Sequence, residues 1–263
     1  MKISVIVPTL NSERFLGATL DSITNQGHAE FEVVVVDGGS TDGTLAIAKG
    51  YPHTIVVSAP PRGEPNAINV GLRAATGDIL TWLDSDDEYA PWCLDKVDGY
   101  FRTHPGSLWV YGKCGIINEH GGPCRAPVTW LKERFQPRYR YTSLLLFDYI
   151  AQPACFFTRR AVALAGFLDE EARLAFDYDW WLRLGTFGRP GYIGRVLAYW
   201  RSHPGSETAK SLMADMKEGL AMSIRHSPGR LHLRPLQYGF YGLAVAGYWS
   251  MGALRPSVRG ESC

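Results

Sequence analysis

The first hundred residues alternate between short apolar runs and segments with helical periodicity. The apolar runs are rich in β-branched residues and predict four buried strands, at residues 3–7, 31–36, 55–58 and 79–83. Between the last two, residues 64–75 place Ile68, Leu72 and Ala75 on one helical face. Strands that alternate with helices form parallel sheets through right-handed crossovers. The pattern therefore predicts an α/β fold, with a mostly parallel, Rossmann-like sheet flanked by helices.

Turn residues between these elements indicate where the helices begin. Asn11 or Ser12 is predicted to cap the first helix, and Ser40 the second. Ligands bind at the carboxyl ends of parallel strands, and three of these ends carry polar residues here. They are residues 8–11, 37–40 and 84–87. The sequence thus predicts a ligand site at this edge of the sheet.

The second half of the chain is less regular. Its apolar runs predict strands at residues 109–111, 116–118, 154–158 and 192–200. Helices are predicted at residues 142–150, before Gly166, from Asp177 to Leu184 and at residues 206–226. Residues 125–140 are basic and aromatic and predict a surface excursion.

The C-terminal region differs in composition from the rest, so we divide the chain into a domain of residues 1–226 and a helical tail of residues 227–263. Within residues 236–254 only Gln237 and Ser250 are clearly polar, and arginines flank the run. Nineteen residues approach the ~20 needed to span a bilayer, but four glycines and several Tyr and Trp fit an interfacial helix at least as well. A helix packed on the domain or at a dimer contact is the alternative.

Composition limits the classes of function. Hydrophobic residues make up 46% of the 263 positions, which excludes global disorder. Lys and Arg number 27 against 26 Asp and Glu, so no strong field favours a nucleic acid partner. Five cysteines without a C-x-x-C pair speak against a zinc site and a disulfide framework. The N-terminus is typical of a buried strand and not of a signal peptide, so we expect a cytoplasmic protein, with the tail at the inner face of the membrane.

Asp84, Asp86 and Asp87 place three carboxylates within four residues, directly after the fourth apolar run. Such groups repel one another unless a cation or water compensates their charge. Hard oxygen ligands on one turn suit Mg²⁺ or Mn²⁺, particularly where phosphate oxygens complete the coordination shell. The turn predicts a divalent metal site, and a solvated acidic turn that caps the next helix is the alternative.

The second apolar run ends at Asp37, Gly38 and Gly39. An aspartate at a strand end can accept hydrogen bonds from a base or a ribose hydroxyl, and glycines let the backbone approach a ligand closely. The pattern is not G-x-G-x-x-G, so a dinucleotide fingerprint is absent. A simple strand-to-helix turn is the alternative.

Asp177 and Asp179 lie in the first turn of a predicted helix, where the helix dipole favours carboxylates, so capping competes with catalysis as an explanation. Two positions apart, they point in different directions, and one could face a cleft as a general base. His203 becomes a nitrogen ligand for the metal only if its strand runs back beside the acidic turn. Arg62 and Arg201 could each neutralise phosphate charge.

Six segments, taken in order, resemble the family-two glycosyltransferases with the GT-A fold. They are SVIVPTLN, DGGSTDGT, AINVGLRAATGDILTWLDSDDEY, QPACFFTRRAVALAGFLDE, DYDWWLRL and YWRSHPGS. Six segments in the family's order are specific for the family, though not for a substrate. The resemblance implies transfer of a sugar from a nucleoside diphosphate donor, commonly a UDP-sugar, to an acceptor hydroxyl with inversion. The chain resembles bacterial cell-envelope polysaccharide glycosyltransferases, which implies a glycan or lipid-linked acceptor.

The resemblance also implies roles for individual residues. Asp177 falls at the position of the catalytic base, with Asp179 as the fallback. Asp86, with Asp87 beside it, and His203 fall at the positions of ligands for Mn²⁺ or Mg²⁺. The donor nucleotide would be bound by Pro8, Thr9, Asn11, Asp37, Gly39, Arg62, Asn69, Asp84 and Ser85.

Two other classes of function remain as alternatives. A nucleotidyltransferase that makes nucleotide sugars also uses a parallel sheet, an acidic turn and a metal, but it needs a glycine-rich basic loop where this chain has PTLNSERF. A catalytically silent binder of nucleotide sugars is the other. The presence of Asp84, Asp86 and Asp177 argues against a silent binder.

Overall fold

The computed structural model of the protein describes residues 1–28, 30–124 and 132–253. Its first half contains the predicted alternation of strands and helices. The elements are β1 (Ile3–Thr9), α1 (Leu16–Thr24), β2 (Phe31–Asp37), α2 (Thr44–Lys49), β3 (Thr54–Ser58), α3 (Glu64–Ala74) and β4 (Ile79–Trp82). These four strands pair in parallel in the order β3-β2-β1-β4, which confirms the predicted α/β pattern.

The second half extends the same sheet with mixed strand directions. Its strands are β5 (Glu88–Tyr89), β6 (Trp109–Asn118), β7 (Pro123–Cys124), β8 (Cys155–Thr158) and β9 (Gly191–Ser202). The order continues β4-β8-β6-β9-β5, with β7 beside β6. Strand β8 is antiparallel to both of its neighbours, whereas β6 and β9 are parallel to each other. The carboxyl end of β9 therefore lies beside the end of β6.

The helices of the second half cover this extension. They are α4 (Cys93–Thr103), α5 (Tyr141–Leu144), α6 (Arg159–Ala165), α7 (Phe176–Phe187), α8 (Glu207–Arg225) and α9 (Arg234–Ala253). Helix α8 is the helix predicted at residues 206–226, and α9 lies in the predicted C-terminal helical extension. Within the described ranges, no helix is both long enough and apolar enough to cross a bilayer.

The core lies on both faces of the sheet because successive residues of a strand point to opposite faces. In β2, Val34 and Val36 belong to one buried cluster, and Val33 and Val35 belong to the other. Aromatic side chains fill the first cluster on the side of α7. The ring of Trp82 stacks on that of Trp181 with their centroids 5.5 Å apart. This packing fixes the start of α7 relative to the end of β4.

Several local predictions for the second half are wrong. Residues 109–118 form one strand instead of two, because the pairing with β9 runs from Val110 to Asn118 and continues past register shifts at residues 112–114. Only residues 141–144 of the predicted helix at 142–150 are helical. Residues 125–131 of the predicted surface excursion lie outside the described residues, and in the remainder Gln136 and Tyr139 are buried.

The predicted caps of the first two helices are wrong as well. Helix α1 begins at Leu16 without a side-chain cap. Ser40 does not cap α2, because its hydroxyl accepts a hydrogen bond from the backbone N–H of Asn11 at 2.9 Å. Asp42 takes that role and accepts the N–H of Thr44 at 3.0 Å. Among the cysteines, Cys93, Cys114 and Cys155 carry free thiols, whereas Cys124 is in a disulfide, which the odd cysteine count did not predict.

Candidate active site

The carboxyl ends of β1, β2 and β4 meet at one edge of the sheet. Thr9 lies opposite Asp37 in the parallel pairing, and the N–H of Gly38 donates to the carbonyl of Thr9 at 2.9 Å. The hydroxyls of Ser12 and Ser85 are 2.7 Å apart and join the loop after β1 to the turn after β4. The three polar segments predicted to converge therefore do so.

The turn after β2 is organised around the carboxylate of Asp37, which is buried with 3% exposure. Asp37 accepts hydrogen bonds from the N–H groups of Gly39 at 3.0 Å and Ser40 at 3.1 Å. Asn11, at a φ of 51°, accepts the N–H of Thr41 at 2.9 Å. Gly39 has a φ of 101° and open space where a side chain would begin. A ligand can therefore approach its backbone closely.

Asp86 and His203 form a pair at the acidic turn. The Nε2 atom of His203 is 2.8 Å from Oδ2 of Asp86, and the imidazole packs against the ring of Phe15 with centroids 4.7 Å apart. The N–H of Gly205 donates to Nδ1, so Nε2 carries the proton in this arrangement. Strand β9 does run back beside the acidic turn, as the prediction that His203 is a metal ligand required.

Asp87 points away from this pair into the protein. It is fully buried, and its Oδ1 atom accepts the backbone N–H of Arg201 at 2.8 Å. Burial, followed by the charges of Asp86 and Asp84, raises the pKa of Asp87 well above its usual range. The geometry gives this carboxylate a bracing contact with β9 and places it apart from the Asp86–His203 pair.

Arg201 is buried with 2% exposure, and its donors are occupied by the protein. Its Nε atom donates to the carbonyl of Asp86 at 2.7 Å and its Nη1 atom to the carbonyl of Asn118 at 3.1 Å. Its Nη2 atom is paired with the carboxylate of Glu88. Arg201 thus braces the cleft and is not free to neutralise a phosphate, whereas Arg62 is exposed and available.

Glu64, at the first position of α3, is a site residue that sequence reasoning missed. Burial, followed by the charge of Asp84, raises the pKa of Glu64 well above its usual range, and Asp86 and Asp177 raise it further. Burial and then Asp86 raise the pKa of Asp84 to about 6. The contact with Glu64 lowers the pKa of Asp84 in part, so the two carboxyl groups are neighbours in the site. The signal that could have identified it is a lone acid directly after Gly63.

Asp177 sits in the first turn of α7, and its Oδ1 atom accepts the N–H of Tyr178 at 2.7 Å. Burial, followed by the charges of Asp148 and Asp215, raises the pKa of Asp177 well above its usual range. Both of these neighbours were missed in the sequence. Asp148 is the one charged residue in the apolar run LLLFDYI, which was a usable signal. Asp215 lies on α8 with no distinguishing pattern around it.

Asp179 has a different environment from Asp177. It is buried with 1% exposure and accepts hydrogen bonds from Nε of Arg183 at 2.8 Å and Nε2 of His226 at 2.7 Å. Burial alone would raise the pKa of Asp179, but the contacts with His226 and Arg183 lower it overall. One carboxylate oxygen is therefore held within α7 and the other is bound to His226 after α8, so Asp177 is the better placed of the two to accept a proton.

The remaining predicted residues line or support the cleft. Pro8 and Thr9 are buried at the end of β1, where Thr9 forms a long hydrogen bond of 3.4 Å to the carbonyl of Val36. Asn69 is buried and exchanges hydrogen bonds with the backbone of Leu168. Asn69 therefore joins α3 to the loop before α7, and its side chain is occupied by this contact.

The donor set at the acidic turn fits a divalent cation. Asp86 and His203 offer one carboxylate and one imidazole, and Oδ1 of Asp84 in the same turn is buried without a hydrogen-bond partner among the described residues. No group of three or more His, Cys, Asp or Glu side chains in the described part of the chain could hold a metal by itself. Mg²⁺ and Mn²⁺ use one or two carboxylates and complete their shell with phosphate oxygens and water, which is compatible with this set.

Known proteins share both the sequence and the fold. The chain is 31% identical over 200 residues to the PGL/p-HBAD biosynthesis glycosyltransferase of Mycobacterium bovis, covering 74% of this chain and 73% of that protein. It is 26% identical over 240 residues to the chondroitin synthase of Escherichia coli. That match covers 90% of this chain but only 34% of the relative, so this chain spans about a third of that protein.

Two solved structures superpose on most of the chain. Residues 1–349 of S. aureus TarS in complex with UDP-GlcNAc match with a TM-score of 0.70 at 22% identity, covering 91% of this chain and 71% of that one. The mannosyltransferase PcManGT from Pyrobaculum calidifontis, in complex with GDP-Man and Mn²⁺, matches with a TM-score of 0.69 at 21% identity. That match covers 97% of this chain and 76% of the other.

The family model described as glycosyl transferase family 2 matches residues 4–164, which contain the turn after β2 and the acidic turn. This match covers more than half of the chain, and the fold is similar to that of the GT-A glycosyltransferases among the solved structures. The protein therefore belongs to glycosyl transferase family 2.

Proposed function

We propose that this glycosyltransferase moves a sugar from a nucleoside diphosphate donor, a UDP-sugar in the first instance, to an acceptor hydroxyl with inversion. One observation carries the proposal. Trp82 at the end of β4 stacks on Trp181 of α7, and Asp84, Asp86 and Asp177 all raise the pKa of Glu64, so the acidic turn and the candidate base lie close together. A donor bound at the acidic turn would then have its reacting sugar within reach of Asp177.

The donor nucleotide is assigned to the edge formed by β1, β2 and β4. The backbone at Gly39 is open to a ligand, and Asp37 holds the turn that presents it. Asn11 fixes the same turn from the side of β1. Arg62 is exposed at the start of α3 and is the cation available for the diphosphate. Asp84 and Ser85 complete the proposed donor site.

Asp86 and His203 would hold Mn²⁺ or Mg²⁺ together with diphosphate oxygens. When bound, the cation would stabilise the charge that develops on the leaving diphosphate. Arg201 holds Asp86 through its carbonyl oxygen, and Phe15 packs against the imidazole of His203. The protein thus keeps the two donors in place before any ligand binds. The complex of PcManGT with GDP-Man and Mn²⁺ supports this assignment.

Asp177 is proposed as the general base. Its carboxylate takes the proton of the acceptor hydroxyl as that oxygen bonds to the anomeric carbon. The bond from that carbon to the diphosphate oxygen breaks, and its electron pair leaves with the diphosphate. Attack opposite the leaving group inverts the anomeric centre in one displacement. The raised pKa of Asp177 makes the carboxylate a stronger proton acceptor than an ordinary aspartate.

The acceptor is assigned to the cell envelope, as a glycan or a lipid-linked molecule. Two relatives support this class through their names, a PGL/p-HBAD biosynthesis glycosyltransferase and a chondroitin synthase. Asp215 of α8 raises the pKa of Asp177 through its charge, so α8 lies near the candidate base and we expect it to contact the acceptor.

The test compares Asp177→Asn with wild type in two assays. Release of nucleoside diphosphate is followed with a panel of UDP-, GDP- and TDP-sugars, and binding of the free diphosphates is measured by calorimetry with and without Mn²⁺. We expect Asp177→Asn to lose turnover and keep metal-dependent binding of one nucleotide. NMR of the product should show an inverted anomeric centre.

Two further variants serve as controls. Asp86→Asn should weaken binding of the nucleotide only when Mn²⁺ is present, because it removes a proposed metal ligand. Asp179→Asn should retain catalysis in whatever fraction of the protein is folded. Turnover by Asp177→Asn close to that of wild type would refute the assignment of the base. Nucleotide binding without any turnover by wild type would favour the silent binder.

A further inference from the structure

Helix α9 is docked on the protein through one polar contact at its inner face. Gln237 is buried with 2% exposure, and its Nε2 atom donates to the hydroxyls of Ser223 at 2.7 Å and Ser227 at 3.0 Å. Leu233, just before the helix, is also buried. These contacts fix which side of α9 faces the protein, and the opposite side is left uncovered.

The outer face of α9 carries apolar side chains and no charge. Leu236, Tyr238 and Leu243 are 51%, 56% and 72% exposed, and Gly239 and Gly242 lie between them. Leu231, one turn earlier, is 73% exposed. The described part of the chain has ten large exposed hydrophobic residues, and four of them belong to this surface. A surface helix of a soluble domain normally directs charged residues outward, and α9 directs none outward after Arg234.

The charge around this face has one sign. Residues 219–260 contain five arginines and no Asp or Glu, although the net charge of the whole chain is only +1. Two of the arginines, Arg230 and Arg234, are half-buried and adjoin the exposed leucines in the sequence, whereas Arg255 and Arg259 lie outside the described residues. An apolar face bordered by arginines is complementary to a bilayer that carries anionic headgroups.

A second copy of the chain fits this face less well. A symmetric contact would place the same surface of both copies together, and residues 219–260 contain no acidic group that could pair with the arginines of the other copy. Charge complementarity, which favours specific association, is therefore missing from such a contact. The positive charge beside this apolar face therefore favours a lipid bilayer over a second copy of the chain.

We propose that Leu231 and the outer face of α9 as far as Ala246 dock on an anionic lipid bilayer. This surface would lie in the plane of the lipid headgroups, and α9 would not cross the bilayer. The leucines and Tyr238 would enter the boundary between headgroups and acyl chains, and Arg230 and Arg234 would contact lipid phosphates. The docking itself does not depend on the reaction. Docking would also bring the candidate active site close to acceptors carried on lipids, and this consequence rests on the proposed function.

The position of α9 relative to the cleft supports this orientation. Ser223, which Gln237 contacts, also donates to the carbonyl of Leu145, and the hydroxyl of Tyr178 donates to the carbonyl of Leu144 at 2.5 Å. Tyr178 is the residue next to Asp177. Helix α9 and the candidate base are thus linked through α8 and residues 144–145, and docking through α9 would fix the distance of the base from the membrane.

The test is flotation of the full chain with vesicles of phosphatidylcholine alone or of phosphatidylcholine mixed with phosphatidylglycerol. We expect wild type to float with the anionic vesicles. The double variant Leu236→Ser with Leu243→Ser should lower the partition coefficient by roughly tenfold or more, because two leucines no longer enter the apolar boundary. Arg230→Gln with Arg234→Gln should remove the preference for phosphatidylglycerol.

The matched control is Ile55→Ser with Leu164→Ser, which removes two exposed aliphatic side chains far from α9 in the sequence and should leave flotation unchanged. Melting temperature and nucleotide binding report whether each variant is folded. Absence of flotation by wild type, or equal loss in the control pair, would overturn the proposal. A dimer seen by light scattering that Leu236→Ser with Leu243→Ser dissociates, without vesicle binding, would assign the face to a second copy. Vesicle binding is read without donor or acceptor, so failure of the proposed reaction would not affect it.

Discussion

Replacing Arg201 by methionine removes a guanidinium that joins three segments around the acidic turn. The methionine is of similar length and keeps the backbone N–H that donates to Asp87. It loses the hydrogen bonds to the carbonyls of Asp86 and Asn118 and the ion pair with Glu88. The variant therefore isolates the contribution of the guanidinium.

The magnitude follows from what remains unpaired. A buried acceptor without its partner costs ~1–3 kcal/mol, and two carbonyls are affected. The side chain of Glu88 is 28% exposed, so water compensates part of its lost ion pair. We expect Arg201→Met to lower the free energy of unfolding by about 3–5 kcal/mol, the range for breaking a buried charge pair. Arg201→Lys keeps the charge without the planar fork and should lose about half as much.

Urea denaturation measures this loss, and Arg195→Met is the matched control. Arg195 is an exposed arginine on the same strand, so its replacement should change the unfolding free energy by less than about 0.5 kcal/mol. Nucleotide binding with Mn²⁺ should weaken in Arg201→Lys, because the carbonyl of Asp86 loses its planar partner. A loss below about 1 kcal/mol in Arg201→Met would refute the bracing role assigned to this residue.

Three other predictions concern the stability of the folded protein. Burial alone would raise the pKa of Glu32, but hydrogen bonds from Lys2, Ser4 and Thr76 lower it to about 2, so its stabilising contribution is present above pH 4.5 and is lost as the pH falls towards 2. Unfolding free energies measured across that window should fall by roughly 3 kcal/mol more in wild type than in Glu32→Gln, in which the other carboxylates still titrate. Asp179→Asn should lower the unfolding free energy by roughly 2–3 kcal/mol, and a change near zero would contradict its role as a buried ion-pair partner. Gly71→Ala would place a Cβ 2.3 Å from Cγ2 of Ile6 and should reduce the midpoint of urea unfolding, whereas Gly99→Ala, which meets nothing within 4 Å, should raise it slightly.

The parallel half of the sheet was predictable because each strand is a continuous apolar run that ends in turn residues. The second half was harder for a physical reason. Leu144, Leu145, Tyr149 and Ile150 are all buried, yet only residues 141–144 are helical, because an apolar run can be buried with either backbone conformation. Strand β6 contains Gly112 and Gly115, which looked like turn positions. They are instead places where Leu197 and Tyr199 of β9 approach the backbone.

The site residues that directly follow strands could be predicted from the sequence. Those that come together only in the folded protein could not. Asp84, Asp86 and His203 follow β4 and β9, and the structure brings the last two into contact. Glu64, Asp148 and Asp215 come from three separate segments, and no local pattern marks a carboxylate that acquires its neighbours only on folding. Asp87 and Asp179 lie in acidic motifs and were therefore predicted to be site residues, but their side chains are buried in the protein.

Strand β5 begins directly after the acidic turn and pairs with β9, with Glu88 opposite Tyr199. The two members of the Asp86–His203 pair are 117 positions apart in the chain. During synthesis on the ribosome, the four parallel strands can therefore assemble from contacts close in sequence. The acidic turn gains its second anchor only after β9 has emerged. Closing so long a loop is slow relative to local pairing. The nascent protein would thus pass through a stage in which its sheet is already formed but the acidic turn is not yet held in place.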